Sequence, residues 1–386
     1  MKVLTQQQAT EKLLAVLPAD IQILSDLFTE KGFDLFLVGG CVRDAFMNKN
    51  PKDFDVATNA LPEQVIEILT KANITNQLQG ADFGVVVARM SEDIEIATFR
   101  TDVDSGTGSN KETKVTVGVT IEDDVQRRDL TINALFMNLE THEIIDLVGG
   151  IKDLNDGIIR TVGEASQRFA EDNLRKLRAI RFATRLGFQI EDKTFQAIKN
   201  DPSLNVSAER IVNELQNAFE TSSNVDKLII DLFHSGLIFT IFKNIRVKDL
   251  DLIDTTKITS FTTFVAEMID DSNKFRSDIL IGKELNSLKF SSKLIAGIET
   301  LLRFDNIHTL CPIEFTSKLK STSLTSSELC NFHQHDLFLF AFDFKFSSTV
   351  AEDLMTKGFR GKELGLELKR LARIDLNEKI KTFTKF

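Results

Sequence analysis

The feature that most constrains the fold is a change of hydrophobic period near residue 151. Upstream of it, FDLFLV (33–38), GVVVARM (84–90), IEIATF (94–99), KVTVGVT (114–120) and EIIDLV (143–148) have the length and residue types of strands, while residues 64–71 and 130–135 carry helical periodicity. Downstream, apolar residues recur at three- and four-residue intervals over 166–186, 207–220, 224–236, 288–303 and 361–373, the pattern of amphipathic helices. This pattern implies an α+β chain: an N-terminal mixed head of β-sheet with helices, then an all-α remainder. With 386 residues the chain exceeds one ordinary core. The expected divisions are a head over 1–150, a helical neck over 151–220, a helical body over 221–290 and a helical tail over 291–386. Residues 337–346, where Phe alternates, are read as helix despite a strand-like period, and DSGTGSNKE (104–112) as a mobile loop between strands.

Composition excludes several classes. The 42% hydrophobic and 27% charged content is that of a folded chain rather than a disordered one. No apolar run reaches the roughly 18 residues of a membrane helix, and MKVLTQQQATEKLL lacks the apolar stretch of a secretory signal, so a cytoplasmic location without membrane association is expected. Three scattered cysteines make no disulfide framework. Cys330, His333 and His335 match no standard zinc spacing. No obligate protein partner is evident. The 31 Phe with no Tyr or Trp put Phe where Tyr is common. The net charge of -10 is unevenly spread: residues 157–190 hold seven Lys or Arg against three acids, and residues 357–386 hold nine against four. Such stretches suit an RNA backbone, and equally suit solvated helix faces.

The most informative segment is LVGGCVRDAFMNKNPKDFDVAT (37–58). A strand running into Gly39-Gly40 and then a helix lets backbone N–H groups approach a phosphate closely, with Arg43 at hand. Downstream, Asp53 and Asp55 at i and i+2 share a face if the segment is a strand, and paired carboxylates of this kind hold Mg2+ against substrate phosphates. An isolated DxD is common turn material; a phosphate-type turn just before it favours chemistry.

These residues resemble the first motif, GGxVRD followed by DxD, of class II CCA-adding enzymes, which belong to the tRNA nucleotidyltransferase/poly(A) polymerase family in the polymerase beta type nucleotidyltransferase superfamily. RRDLTINAL (127–135), DLVGGIKDL (146–154) with IRTVG (159–163), EDNLRKLRAIRF (171–182) and SAERIVNEL (207–215) are similar to the later motifs, in order. The resemblance implies template-independent, Mg2+-dependent addition of C, C and A to the 3′ end of tRNA from CTP and ATP, with pyrophosphate released and the 1–150 head catalytic. It implies Asp53 and Asp55 as metal ligands, and Gly39, Gly40, Arg43, Arg128, Asp129, Asn133, Glu171, Asp172, Arg175, Arg178 and Arg181 as nucleotide-binding residues. Asp129 would contact ribose, although alone it reads equally as a helix cap. The tail would bind tRNA.

The fourth motif also has a physical reading of its own. On one helix, Asp172 and Arg175 are i,i+3 neighbours, an acceptor beside a donor, with Glu171 orienting them. Cytosine and adenine both present an amino donor beside a ring-nitrogen acceptor, whereas uracil and guanine present the reverse, so the pair selects C and A. The plain alternative is a surface ion pair. A CC-adding enzyme remains a rival because 104–112 lacks the arginine its relatives often carry, and a poly(A) polymerase or a non-catalytic RNA-binding relative are the others. GADFGVVVARM (80–90) favours the CCA-adding form over the poly(A) polymerase form.

Overall fold

A computed structural model of the chain describes residues 3–79, 84–105, 112–269, 279–302, 322–333 and 348–383. It divides into two compact units, Met1–Ser203 with Ser222–Asn224, and Leu204–Thr221 with Val225–Phe386. The division falls inside the 151–220 segment.

The first unit opens with α1 (Gln6–Val16) and α2 (Ala19–Thr29). Thr5 caps α1 by accepting the Gln8 N–H, while the Gln8 side chain accepts the Thr5 N–H. Then follow β1 (Leu35–Val38), α3 (Gly40–Phe46), β2 (Val56–Thr58), α4 (Pro62–Lys71), β3 (Thr75–Gln79), β4 (Val85–Arg89) and β5 (Asp93–Thr98). Next come β6 (Arg100–Ser105), β7 (Glu112–Val117), α5 (Ile121–Gln126), a 3-10 turn (Thr131–Asn133), β8 (Leu135–Asn138) and β9 (Ile144–Asp146). The unit closes with α6 (Gly150–Asp156), β10 (Ile158–Ile159), α7 (Ala165–Glu171), α8 (Leu174–Leu186), β11 (Gln189–Ile190) and α9 (Asp192–Asn200).

Seven strands make one mixed sheet in the order β3-β4-β5-β2-β1-β8-β9, antiparallel except where β2 meets β5. β6 and β7 pair as a separate hairpin. Of the expected loop at 104–112, residues 106–111 lie outside the described residues, as does the whole of the expected helix at 337–346. The core under the sheet is built on Phe36, Phe99 and Phe136, with ring centroids 5.5 to 6.3 Å apart. Tilted and edge-on pairs of this kind add about 0.5–1.5 kcal/mol each beyond area burial, and Phe brings no hydroxyl that needs a partner.

Four expectations are corrected here. Residues 130–135 form the 3-10 turn and the start of β8, because Leu130, Ile132, Ala134 and Leu135 are all fully buried. Their spacing therefore reflects burial on every side, not one helical face. The helix expected over 166–186 breaks between α7 and α8: Asp172 is extended (φ -142°, ψ 106°) and Asn173 donates to the Phe169 carbonyl at 2.6 Å. Asp and Asn side chains compete with helical backbone bonds in this way. The DxD lies in the approach to β2, which begins only at Val56, with Phe54 half-buried. Beyond residue 151 the chain is not purely helical, since β10 and β11 pair in parallel over two residues.

The second unit is helical: α10 (Ala208–Thr221), α11 (Val225–His234), α12 (Leu237–Ile241), α13 (Phe261–Met268), α14 (Ile279–Ser287), α15 (Ser292–Leu302), α16 (Ser326–His333), α17 (Ser348–Thr356) and α18 (Gly361–Phe383). Phe219, Phe261, Phe264 and Phe290 stack at its centre. Among the described residues no helix is long and apolar enough to cross a membrane, and no three potential ligands cluster around a metal position. His335 lies outside the described residues.

Candidate active site

The sheet register assembles the site. β1 pairs with β2 on one side and β8 on the other, and the ladder continues past the strand ends: the Val38 N–H donates to the Asp55 carbonyl (3.1 Å) and the Gly39 N–H to the Leu135 carbonyl (3.0 Å). Thus the Gly39-Gly40 turn, the DxD and the segment before β8 meet at one sheet edge. Gly39 turns the chain with φ 70° and ψ -115°, a conformation an L side chain rarely adopts. A Cβ there would also stand 3.4 Å from the Asn133 carbonyl oxygen.

Asp53 and Asp55 are both exposed to the cavity that opens at this edge. The Asp55 carboxyl nevertheless sits above the usual carboxylate range. The concave wall strips water from it, Glu95 and Asp53 repel its charge, and Arg128 only partly offsets them. Glu95 comes from the next strand, where the parallel register of Val56 with Ile96 sets it beside Asp55. Sequence reasoning missed Glu95, although its exposed place in the alternation of IEIATF marks it. Asp53 and Asp55 are oxygen donors of the kind a magnesium ion takes as one or two carboxylates together with substrate phosphate oxygens. Beside them the Cys41 thiol is buried, and burial together with the Asp55 charge pushes its pKa up to about 12, so it stays protonated.

The RRD segment leaves α5 beneath the turn. Arg43, buried, binds Asn133 Oδ1 (2.5 Å) and Asp44 Oδ1 (2.7 Å). Arg128 lies 4.4 Å over the Phe136 ring. Asp129 accepts from Arg178 at 2.7 and 2.8 Å, from the Leu130 N–H at 2.8 Å and from Asn133 at 3.4 Å. Burial works against its charge, but these partners prevail and hold the carboxyl below its usual range. The third motif is structural here. Asp146 accepts four backbone N–H groups, from Val148, Gly149, Gly150 and Ile151, and so caps α6. Buried Asp153 holds Thr131 at 2.7 Å.

At the break between α7 and α8, Asp172 Oδ1 accepts the Leu174 N–H at 3.0 Å, and the Asp172 carbonyl accepts the Arg175 N–H at 3.1 Å. The Arg175 guanidinium donates to Glu171 Oε2 (2.7 Å), the Arg168 carbonyl (3.3 Å) and the Arg127 carbonyl (2.8 Å). Glu171 thereby fixes Arg175, and also pairs with Arg168. Arg43, Arg178 and Arg181 gather around the Phe182 ring at 5.2, 5.7 and 4.4 Å.

One cavity of about 770 Å³ takes in Asp53, Asp55, Gly39, Gly40, Arg43, Arg128, Asp129, Asn133, Asp172, Arg175, Arg178 and Arg181; of the residues picked from sequence, Glu171 alone is not on its wall. Arg127 of the RRD segment and Arg185 of the basic stretch 157–190 line it as well, and so do Lys49 and Lys52, which sequence reasoning missed. Nine cationic residues against five acidic ones line the wall, a balance suited to a polyanion. Arg185 is pushed below its usual range by burial and by Arg43 and Arg181, so an anion there relieves repulsion. Most cations of 157–190 prove to be paired: Arg160 with Asp153 and Glu191, Arg168 and Arg175 with Glu171, Lys176 with Asp201, Arg178 with Asp129. The excess charge counted along that stretch is largely neutralised in the fold.

Comparison with known proteins places these elements. Residues 35–160 match the family described as "Poly A polymerase head domain", and residues 187–248 match "Probable RNA and SrmB- binding site of polymerase A". Residues 35–160 thus carry a poly(A) polymerase-type head domain, and residues 187–248 the RNA-binding segment that accompanies it. The CCA-adding enzyme of Lactobacillus delbrueckii subsp. bulgaricus is 45% identical over 188 residues, covering 48% of this chain and 46% of that protein. The CCA-adding enzyme of Geobacillus stearothermophilus is 42% identical over 189 residues, covering 48% and 46%. The chain thus matches about half the length of these curated relatives. In three dimensions the fold matches the Bacillus stearothermophilus CCA-adding enzyme in complex with CTP (TM-score 0.64, 23% identity, 97% of this chain and 93% of that one). It also matches the Thermotoga maritima CCA-adding enzyme complexed with tRNA (TM-score 0.71, 19% identity, 99% and 100%).

Proposed function

We propose that the chain is a CCA tRNA nucleotidyltransferase: the 3′-hydroxyl of tRNA attacks the α-phosphate of CTP or ATP, pyrophosphate leaves, and C, C and A are added without a template. The observation that carries this reading is that the Gly39-Gly40 turn, Asp53 and Asp55, and the Asp172–Arg175 pair all face one cavity with an excess of cationic residues.

In this reading Gly39 and Gly40 let the triphosphate approach backbone, with Arg43 held ready by Asn133 and Asp44 and Arg128 beside them. Asp129 and Arg178 work as one ion-paired unit toward the ribose, and Arg181 extends the cationic wall. Asp172 and Arg175 read the base edge, Glu171 keeping Arg175 in place. Enzymes of the nucleotidyltransferase family generally use a divalent metal ion. We assign Mg2+ to Asp53 and Asp55, where it would lower the barrier by neutralising phosphate charge and activating the attacking hydroxyl. The domain divisions at 150, 220 and 290, a tRNA-binding tail and a cytoplasmic location belong to the same proposal.

The test is to offer the purified chain a tRNA ending at the discriminator base with CTP and ATP, separately and together. Extension by C, C and A supports the reading. Extension stopping at two C residues assigns a CC-adding enzyme, a long A tract assigns a poly(A) polymerase, and no incorporation with Mg2+ present refutes the proposal.

A further inference from the structure

We propose that Asp124 is a positioning residue for nucleotide binding: one buried carboxylate that sets both arginines of the RRD segment and, through the backbone between them, the base-reading Arg175. The inference rests on the reading of the cavity as a nucleotide site.

Asp124 lies in α5, is fully buried and does not line the cavity. Its two oxygens are divided between two guanidinium groups. Oδ1 accepts from Arg127 Nε at 2.8 Å, with Arg127 Nη2 at 2.7 Å. Oδ2 accepts from Arg128 Nε at 3.1 Å and Nη2 at 3.0 Å. Oδ1 also accepts the Arg100 N–H at 3.2 Å, where the β6–β7 hairpin begins. Side-on pairing through Nε and one Nη holds the plane of each guanidinium as well as its position. A single negative charge cannot neutralise two guanidinium groups, so the pair keeps a net positive charge facing the cavity that Arg127 and Arg128 line.

The reach of Asp124 extends further through the main chain. The Arg127 carbonyl accepts from Arg175 Nη2 at 2.8 Å, and the Gln126 carbonyl accepts from Arg168. The last turn of α5 is therefore the seat on which Arg175 rests, and Asp124 ties that turn to its own side chains. Asn in its place keeps the shape but offers one acceptor, and its amide N–H groups face a guanidinium that has only donors to return. At least one arginine then swings from its present plane.

The test uses the full chain and four proteins: wild type, Asp124→Asn, Arg128→Ala and the double variant. CTP affinity is measured by titration without tRNA, so the result does not depend on what polymer the enzyme extends, while tRNA extension by the wild type reports separately on the proposed function. Asp124→Asn is expected to weaken CTP about tenfold, and the double variant to bind no worse than the weaker single variant, because both changes remove one coupled unit. A Kd within twofold of wild type, or losses that multiply in the double variant, overturns the positioning role. A wild type that binds no CTP overturns both proposals. Should Asp124→Asn lose its cooperative melting transition, Asp124→Glu is read by the same criteria, since it keeps the charge and moves it by one methylene.

Discussion

The break at Asp172 allows base selection to be separated from folding in a single substitution. The Asp172 side chain does two things: it accepts the Leu174 N–H at 3.0 Å at the start of α8, and it lines the cavity beside Arg175. Removing it with Ala would cost the cap, about 0.5–2 kcal/mol, and confuse the two roles. Asn keeps an oxygen for the Leu174 N–H and is an equally good cap. What changes is the remaining edge: a carboxylate oxygen that only accepts becomes an amide nitrogen that only donates. Facing cytosine, this puts donor against amino donor; facing uracil, it offers a donor to the carbonyl that was previously left unpaired. Each mismatched buried group is worth about 1–3 kcal/mol, which is about 5- to 150-fold in relative kcat/KM. Single-nucleotide incorporation with CTP and UTP measures that ratio directly. Asp172→Asn is expected to lower the CTP preference by at least about tenfold with a melting temperature within about 2 °C of wild type. An unchanged CTP/UTP ratio in a folded protein would refute base reading by this side chain.

Three further outcomes follow from the same geometry. Asp55→Asn abolishes incorporation yet stabilises the metal-free chain by about 1–3 °C, because it removes like-charge repulsion with Glu95 and Asp53 worth up to about 1 kcal/mol before solvent screening. The sign has a pH signature: the folded-state pKa of Asp55 is raised above 3.8, so its penalty is absent below pH 3.8 and grows as pH rises through the folded value, and a melting difference independent of pH counts against it. Asp129 behaves oppositely, its folded pKa lying below 3.8: its contribution is present above pH 3.8 and lost as pH falls through the folded value, so Asp129→Asn lowers the melting temperature at pH 7 and converges on wild type in strong acid. Gly150→Ala would set a Cβ 2.3 Å from the Thr131 carbonyl oxygen, which forces the turn carrying Asn133 to move and costs about 1–3 kcal/mol; a thermal scan showing no loss removes that close contact.

What the sequence made legible was local. The Gly-Gly turn, the DxD and the runs that became β1, β4, β5 and β9 each owe their form to a few consecutive residues, and the order of the motifs carried the family resemblance. The helix break at Asp172 is easily overlooked, because Phe169 on one side and Leu174, Leu177 and Ile180 on the other are all buried, and only the five-residue step from Phe169 to Leu174 departs from a helical repeat. Periodicity registers which side chains are buried, and a break that keeps the core side inward shows in it only as a one-residue slip. The competing signal was there in the adjacent Asp-Asn pair, whose short polar side chains bond backbone more readily than a helix interior tolerates.

Charge was the harder problem, since a cation's role depends on partners that sequence distance hides. Arg178 finds Asp129 forty-nine positions away and Lys176 finds Asp201 twenty-five away, so a count along the chain recorded an exposed basic strip where the fold has made internal pairs. The same long-range pairing placed Glu95 beside Asp55, whereas Asp124 holds its two arginines over only three and four residues. The cavity therefore draws its field from a subtraction: many cations enter, several are matched by acids one to four residues away or, for Arg178, by Asp129, and Lys49, Lys52 and Arg185 add to the excess that a polyanion would meet. Replacing any matched acid changes that excess as surely as replacing a cation, which is why the neutralising carboxylates are as open to test as the arginines they hold.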